Sequence, residues 1–250
     1  MSDDLAASFK AMNRKLEDLR VATLYQALGP ERILEFPVFD TTFRMYLPYA
    51  TTDMVQRHIL ASASLFEQAL LRRVQPHIAP GSVIVDAGAN IGNHTLFFGL
   101  VCGAAEIHAF EPLRTIFAIL ERNVALNRLA NVHCHNAALG AQEGRGSLAA
   151  FGVGNIAASR FDLDAGSGYR VTTIDALCLE RLDFLKIDVE GNQIPMLQGA
   201  RATIRRLRPM VWIELRPRQG EYESGDAAMR DLGYRQVETL SPTDFLYVAG

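Results

Sequence analysis

The stretch SVIVDAGANIGNHTLFF, starting at Ser82, limits most what this chain can fold into. An unbroken apolar run with β-branched residues ends at Asp86. It then passes through Gly88, Ala89, Asn90 and Gly92 into a segment with helical spacing that starts near Asn93. Short apolar runs of this kind, with no polar alternation, are strands buried on both faces, which is the state of strands in a parallel sheet. The rhythm repeats: EIHAFEP reads as the next strand, residues 113–127 as a helix, and NVHCHNAALG as a third strand. Strands alternating with amphipathic helices imply βαβ units and an α/β fold with helices on both sides of the sheet.

The loop itself constrains the ligand. Small residues where a strand becomes a helix let backbone approach a bound molecule, and Asn90 tolerates a left-handed conformation better than most residues. The dinucleotide fingerprint spaces its glycines G-x-G-x-x-G, whereas the small or turn-tolerant positions here are 88, 90 and 92. Asp86, just before the first glycine, would repel a pyrophosphate and attract an ammonium group. Nineteen residues after Gly92 comes Glu111, at the end of the next strand, where a carboxylate can accept hydrogen bonds from both hydroxyls of a ribose. A nucleoside carrying an amino-acid ammonium, S-adenosylmethionine, fits this set better than NAD does.

Around this unit the chain organises as follows. Residues 3–28 place Leu5, Phe9, Met12, Leu16, Leu19 and Tyr25 at helical spacing, and Gly29 and Pro30 stop the helix. This stripe suits packing on the parent domain, self-association or docking on a partner, the first two being favoured. Aromatic and alternating residues over 35–48 suggest a hairpin, and residues 53–78 a helix. Residues 140–175 interrupt the strand series with a glycine-rich hairpin or flap. LDFLKIDVEG and PMVWIEL resume it with a helix over 194–207 between them, and GYRQVETL with TDFLYVAG read as a terminal antiparallel pair.

The segments VIVDAGANIGNHTLFF, HAFEP, NAALG, TIDAL, LKIDVEG, QGA and IEL, in this order and at these separations, resemble the FkbM family of S-adenosylmethionine-dependent methyltransferases. The resemblance covers about residues 50–216. It implies the class I methyltransferase fold, a Rossmann-like sheet of seven mostly parallel strands with the last one antiparallel. To this the present chain adds an N-terminal helical extension. It also implies O-methylation of a hydroxyl on a sugar, glycan or secondary metabolite. The alternatives are N- or C-methylation of a small molecule, or a catalytically silent binding or assembly protein of the same fold. Carried over by position, Asp86, Gly88, Ala89, Asn90, Gly92 and Asn93 would line the methionine end of the cofactor, Glu111 would hold the ribose, and Asn136 and Ala137 would flank the adenine. The expected organisation is a helix over 1–30, a hairpin and helical lead-in over 31–80 serving as a substrate cap, and a cofactor-binding domain over 81–250 with a flap at about 141–175.

Ligands of open parallel sheets sit beyond the carboxyl ends of the strands, here marked by Asp188-Val-Glu190-Gly191 and Glu214-Leu-Arg216. Asp188 and Glu190 are the preferred bases, Glu214 an orienter of substrate, and His94 an alternative base; Asp188 is also a candidate for the cofactor's methionine portion. Carboxylates so grouped could hold a divalent ion, although nothing in the spacing indicates a metal. Lys186 has two readings, a partner that keeps Asp188 or Glu214 ionised and a lysine at a strand start with its ammonium reaching water, the second being preferred. His133 and His135 read as sheet residues, His58 as a residue that could reach the substrate mouth, and Asn155, Ser159, Arg160 and Asp162 as acceptor contacts on the flap. Asn192 and Gln193 stand where the family often carries an acid or histidine.

Composition supplies exclusions. A formal net charge of −3 speaks against a nucleic-acid binder, which needs a concentrated basic face. Three widely spaced cysteines form neither a disulfide framework nor a zinc site. No apolar run approaches the roughly 18 residues of a membrane span. The expectation is a cytoplasmic protein with a small-molecule or carbohydrate acceptor and self-association through the first helix.

Overall fold

The computed structural model describes residues 2–150, 160–162, 168–217 and 220–250. The chain divides into two compact units, the break falling between Phe66 and Glu67.

The first unit opens with helix α1 (Ser2–Ala27), followed by strands β1 (Ile33–Val38) and β2 (Thr41–Tyr46) and helix α2 (Met54–Ser62). β1 and β2 pair antiparallel from Ile33↔Tyr46 to Val38↔Thr41, with Phe36 stacked on Phe43 across the pair. Both residues of the two-residue turn, Phe39 and Asp40, are left-handed (φ 52° and 58°), the geometry that matches strand twist in tight hairpins. Asp53 caps α2 by accepting the Gln56 N–H at 3.0 Å. The helix expected over 53–78 is instead two. Ser62 bonds back to the His58 carbonyl, and Ala63 and Glu67 take positive φ before α3 (Gln68–Val74) begins. A serine that satisfies the backbone of the preceding turn competes with helix continuation.

The second unit holds a seven-stranded sheet of β3 (Val83–Ala87), β4 (Glu106–Phe110), β5 (Val132–His135), β10 (Phe184–Ile187), β11 (Met210–Glu214), β12 (Tyr234–Thr239) and β13 (Asp244–Ala249). Their spatial order is β12-β13-β11-β10-β3-β4-β5. β13 runs antiparallel to both its neighbours and the remaining pairs are parallel, so the sheet is the Rossmann-like arrangement of class I methyltransferases. Alternation along the strands sorts the faces. Val85, Ala87, Leu185, Ile187, Val211 and Ile213 pack with residues of α6 (Gln193–Gly199), α7 (Arg201–Leu207) and α8 (Glu221–Asp231). Ala109 on the opposite face meets Leu120 and Val124 of α5 (Arg114–Leu126), the neighbour of α4 (Asn93–Leu100).

The helix expected over 194–207 is also broken, at Ala200. Asp175 explains the restart: its carboxylate accepts the N–H groups of Ala202 and Thr203 at 3.1 and 2.8 Å, capping α7 from a distant segment. The interruption between β5 and β10 forms a small sheet of β6 (Ala138–Leu139), β7 (Gly144–Ala150), β8 (Arg160–Asp162) and β9 (Tyr169–Thr172), ordered β6-β9-β7-β8. Much of the expected flap, with Asn155 and Ser159, lies outside the described residues. No helix among the described residues is long and apolar enough to cross a membrane.

Candidate functional site

The chain steps outward from β3 to β4 and β5, then returns to lay β10 on the other side of β3. That reversal opens a crevice at the carboxyl ends of β3 and β10, the place where open α/β sheets bind ligands.

The glycine loop is shaped largely by the protein itself. Gly88 has φ +84°, and a Cβ there would stand 1.8 Å from the Asp188 carbonyl oxygen, so only glycine lets β3 run this close to the end of β10. Asn90 is left-handed at φ 49°, and Gly92 at φ 91° packs against Leu120. Gly88 and Ala89 donate their N–H groups to the Phe110 carbonyl (3.2 and 2.8 Å) and Gly92 donates to Ala89 (2.9 Å). The Asn90 N–H goes to the Glu111 carboxylate. These four groups are satisfied internally and form no phosphate cradle.

Glu111 is buried at the end of β4, where its carboxylate also accepts the Leu113 N–H at 2.8 Å. Burial pushes its pKa up to about 7, against the opposing effect of those backbone donors and of Lys186. Asn136 braces the turn beneath it by donating to the carbonyls of Glu111 and Pro112 at 2.9 and 3.0 Å.

The charged centre lies where β10 and β11 end. Lys186 is buried in the middle of the sheet, its Nζ 3.3 Å from Asp86, 3.4 Å from Asp188 and 3.0 Å from the Gly88 carbonyl. The expectation of an ammonium reaching water is therefore corrected. A lysine within an apolar strand is tolerated only when paired, and the two carboxylates hold its pKa above the ordinary value despite burial. Asp188 remains half exposed. Burial works against its charge, but Lys186, a hydrogen bond with Glu214 and nearby His94 hold its carboxyl below the usual range. Glu214 shifts the other way: burial first, then the Asp188 charge, push it up to about 9, so the two carboxyls titrate as a pair.

Glu190 is bound differently. Its positive φ of 47° breaks the alternation after Asp188, and Arg216 clasps both its oxygens at 2.7 and 3.0 Å. Arg216 also reaches Glu214 at 3.3 Å, and these partners raise its own pKa. With both oxygens facing the guanidinium, Glu190 is held more tightly than Asp188, whose cation partner stands 3.4 Å away. The ligand atoms of Asp188, Glu190 and Glu214 lie within 4.8 Å of one another. Lys186 and Arg216 already supply positive charge to this group, so a divalent ion would compete with them for the carboxylates.

Several other expected residues take structural parts. Asp86 is fully buried, accepting from Thr95 at 2.6 Å and facing Lys186, so it anchors the loop from below and offers a ligand no surface. Ala89 and Ala137 are buried, as are Gly92 and Asn93 at the start of α4. His94 is buried with Nε2 3.4 Å from Glu67 and its ring edge-on to Trp212, making it a wall of the crevice. His133 and His135 flank His108 as stacked rings. His58 rests edge-on against Phe66 within its own unit. Gln193 donates to the Glu214 carbonyl at 3.2 Å, an uncharged tie where an acid would have repelled the cluster. Expected for the crevice and half-buried there are Gly88, Asn90, Asn136, Asp188, Glu190 and Glu214. Sequence reasoning missed Arg216 and Thr95. The signal for Arg216 was its position two residues after Glu214; Thr95 carried none.

Residues 86–236 match the methyltransferase FkbM domain. Methyltransferase 1 of Beauveria bassiana (strain ARSEF 2860) is 26% identical over 179 residues, which covers 61% of this chain and 72% of that protein. Methyltransferase sdnD of Sordaria araneosa is 28% identical over 188 residues, covering 60% and 73%. The crystal structure of methyltransferase FkbM from Methylobacillus flagellatus KT has a TM-score of 0.50 at 17% identity, and the match takes in 92% of this chain but 59% of that one. This last likeness is one of fold. The domain match spans more than half the chain, from Asp86 through Glu111, Asp188 and Glu214, and on that ground the chain belongs to the methyltransferase FkbM domain family.

Proposed function

We propose that the protein transfers a methyl group from S-adenosylmethionine to a hydroxyl of a sugar, glycan or secondary metabolite. The observation that carries this proposal is the grouping of Asp188 with Glu214 at the strand ends, their carboxylate oxygens within 4.8 Å of each other and Lys186 Nζ 3.4 Å from Asp188. A hydroxyl becomes nucleophilic only as it loses its proton, so an oxygen acceptor makes use of such a pair, whereas a neutral amine attacks without one.

The donor set suits the cofactor. The loop N–H groups at 88, 89, 90 and 92 are satisfied internally, which favours a cofactor without a phosphate. Glu111 would accept from the ribose hydroxyls, Asn90 and Gly88 would line the methionine portion, and Asn136 would border the adenine. When bound, S-adenosylmethionine supplies a methyl group on a positive sulfur, open to in-line displacement. The task of the chain is then alignment and proton handling. Asp188, kept ionised by Lys186, accepts a hydrogen bond from the acceptor hydroxyl, orients its lone pair and takes the proton late, as the new bond forms. The raised pKa of Glu214 disfavours a second negative charge beside Asp188.

Calorimetry with S-adenosylmethionine and turnover with a panel of hydroxylated acceptors test the proposal. Asp188→Asn should lower turnover by about 10²–10⁴-fold with a smaller change in cofactor affinity. Glu111→Ala should mainly weaken cofactor binding. Equal losses of cofactor affinity in both variants would remove the division of roles, and absence of binding by the wild type would remove the function.

A further inference from the structure

Within its own unit, residues 5–16 of α1 pack against no other described element. Residues 5–16 are exposed throughout, and the helix is held to its unit at the other end, through buried Val21, Arg20 donating to the Ala61 carbonyl at 2.6 Å, and Asp18 paired with Arg57 at 2.7 Å. Yet this free part carries large apolar side chains, from 51% exposed at Met12 to 73% at Leu5. They stand at 5, 9, 12, 16 and 19, spacings that alternate four and three and so keep one seam on the helix surface over two heptads. Large apolar side chains gathered on one exposed seam are unfavourable in water and mark a surface that another molecule covers.

We infer that two copies of this chain associate through α1, packed antiparallel with Met12 on the twofold axis. The register makes the seam nearly self-complementary: Leu5 is level with Leu19 of the other copy, Met12 with its own counterpart, and Phe9 falls within one residue of Leu16. Charge selects the direction. In a parallel pair the flanking positions five residues apart lie side by side, which sets Lys15 against Arg20 of the second helix. In the antiparallel pair Lys15 is level with position 9 and Arg20 with position 4, so the two cations no longer meet. Area fits a modest dimer. At these exposures the five side chains leave several hundred Å² open per copy, so pairing covers at most about 1,000 Å², the lower limit of specific interfaces. This inference is independent of the methyl-transfer chemistry.

Sedimentation equilibrium of the full chain at tens of micromolar tests it, with dimer expected. Because the seam is solvent-exposed, Phe9→Glu with Leu16→Glu should leave the fold intact by circular dichroism and weaken the dimer by about a hundredfold or more. Direction is read by oxidation in a Cys178→Ser background. Met12→Cys should cross-link to its own counterpart, while Leu5→Cys alone should not and Leu5→Cys with Leu19→Cys should. A monomeric wild type overturns the inference. So does self-cross-linking of Leu5→Cys as fast as Met12→Cys, which would report parallel pairing, or a monomer that binds anionic lipid vesicles through α1.

Discussion

Replacing Lys186 by methionine tests the electrostatic core of the site. Methionine keeps most of the stem volume but removes the ammonium, leaving Asp86, which is fully buried, with the Thr95 hydroxyl at 2.6 Å and no cation among the described residues. Removing one partner of a buried pair costs about 3–5 kcal/mol, because the other charge stays desolvated. The loss of the Nζ bond to the Gly88 carbonyl adds to this, since it ties the glycine loop to β10. Set against total stabilities of roughly 5–15 kcal/mol, the variant should be near the edge of folding, with a melting temperature lower by about 10 °C at roughly 2–4 °C per kcal/mol. Urea denaturation followed by tryptophan fluorescence reports it through Trp212, which sits in β11 next to the pair. The double variant Lys186→Met with Asp86→Asn removes both charges while leaving Thr95 an oxygen to bond. It should recover about 2 kcal/mol. A loss below about 1 kcal/mol in the single variant, or no recovery in the double, would refute the assignment of Lys186 as the obligatory counter-charge of Asp86.

Gly88→Ala combines a positive φ with a Cβ 1.8 Å from the Asp188 carbonyl, so it should displace the loop from β10 and lower both stability and ligand affinity, measured by melting and calorimetry. Glu214 has its folded pKa raised to about 9, so the stability it contributes is present below its unfolded pKa near 4.5 and is lost as pH rises through 9. Glu214→Gln, which imitates the protonated form, should therefore gain on the wild type between those limits, and a gap that is flat with pH would refute the raised pKa of Glu214. Asp175→Ala should cost about 1 kcal/mol by uncapping α7 without altering turnover. Hydrogen exchange confined to the start of α7 would locate the effect.

Much of the fold was legible because it rests on local pattern. The apolar runs at 83–87, 106–110, 184–187 and 210–214 are strands, and the turn chemistry of Gly88 and Asn90 appears as positive φ. Helix continuity was less legible. Neither the stop at Ser62, where a hydroxyl bonds the previous turn, nor the restart after Ala200, where Asp175 caps from another segment, leaves a mark in periodicity. In the site, the acids at strand ends could be named in advance, but not what each one touches.

The linear chain decided which residue types arrive at the carboxyl edge of the sheet, because strand length, alternation and the loop glycines are set by neighbours in sequence. It also decided the seam on α1, which is a matter of spacing alone. Only the tertiary structure divided the acids by role. Asp86 became a buried anchor, Glu190 a partner of Arg216, and Asp188 with Glu214 a coupled pair whose pKa values are driven apart. The physical reason is that a carboxylate's behaviour depends on its burial and on the charges within a few ångströms. In a sheet whose strand order reverses, those neighbours come from β3, β10 and β11, segments about a hundred residues apart along the chain in the case of Asp86 and Lys186.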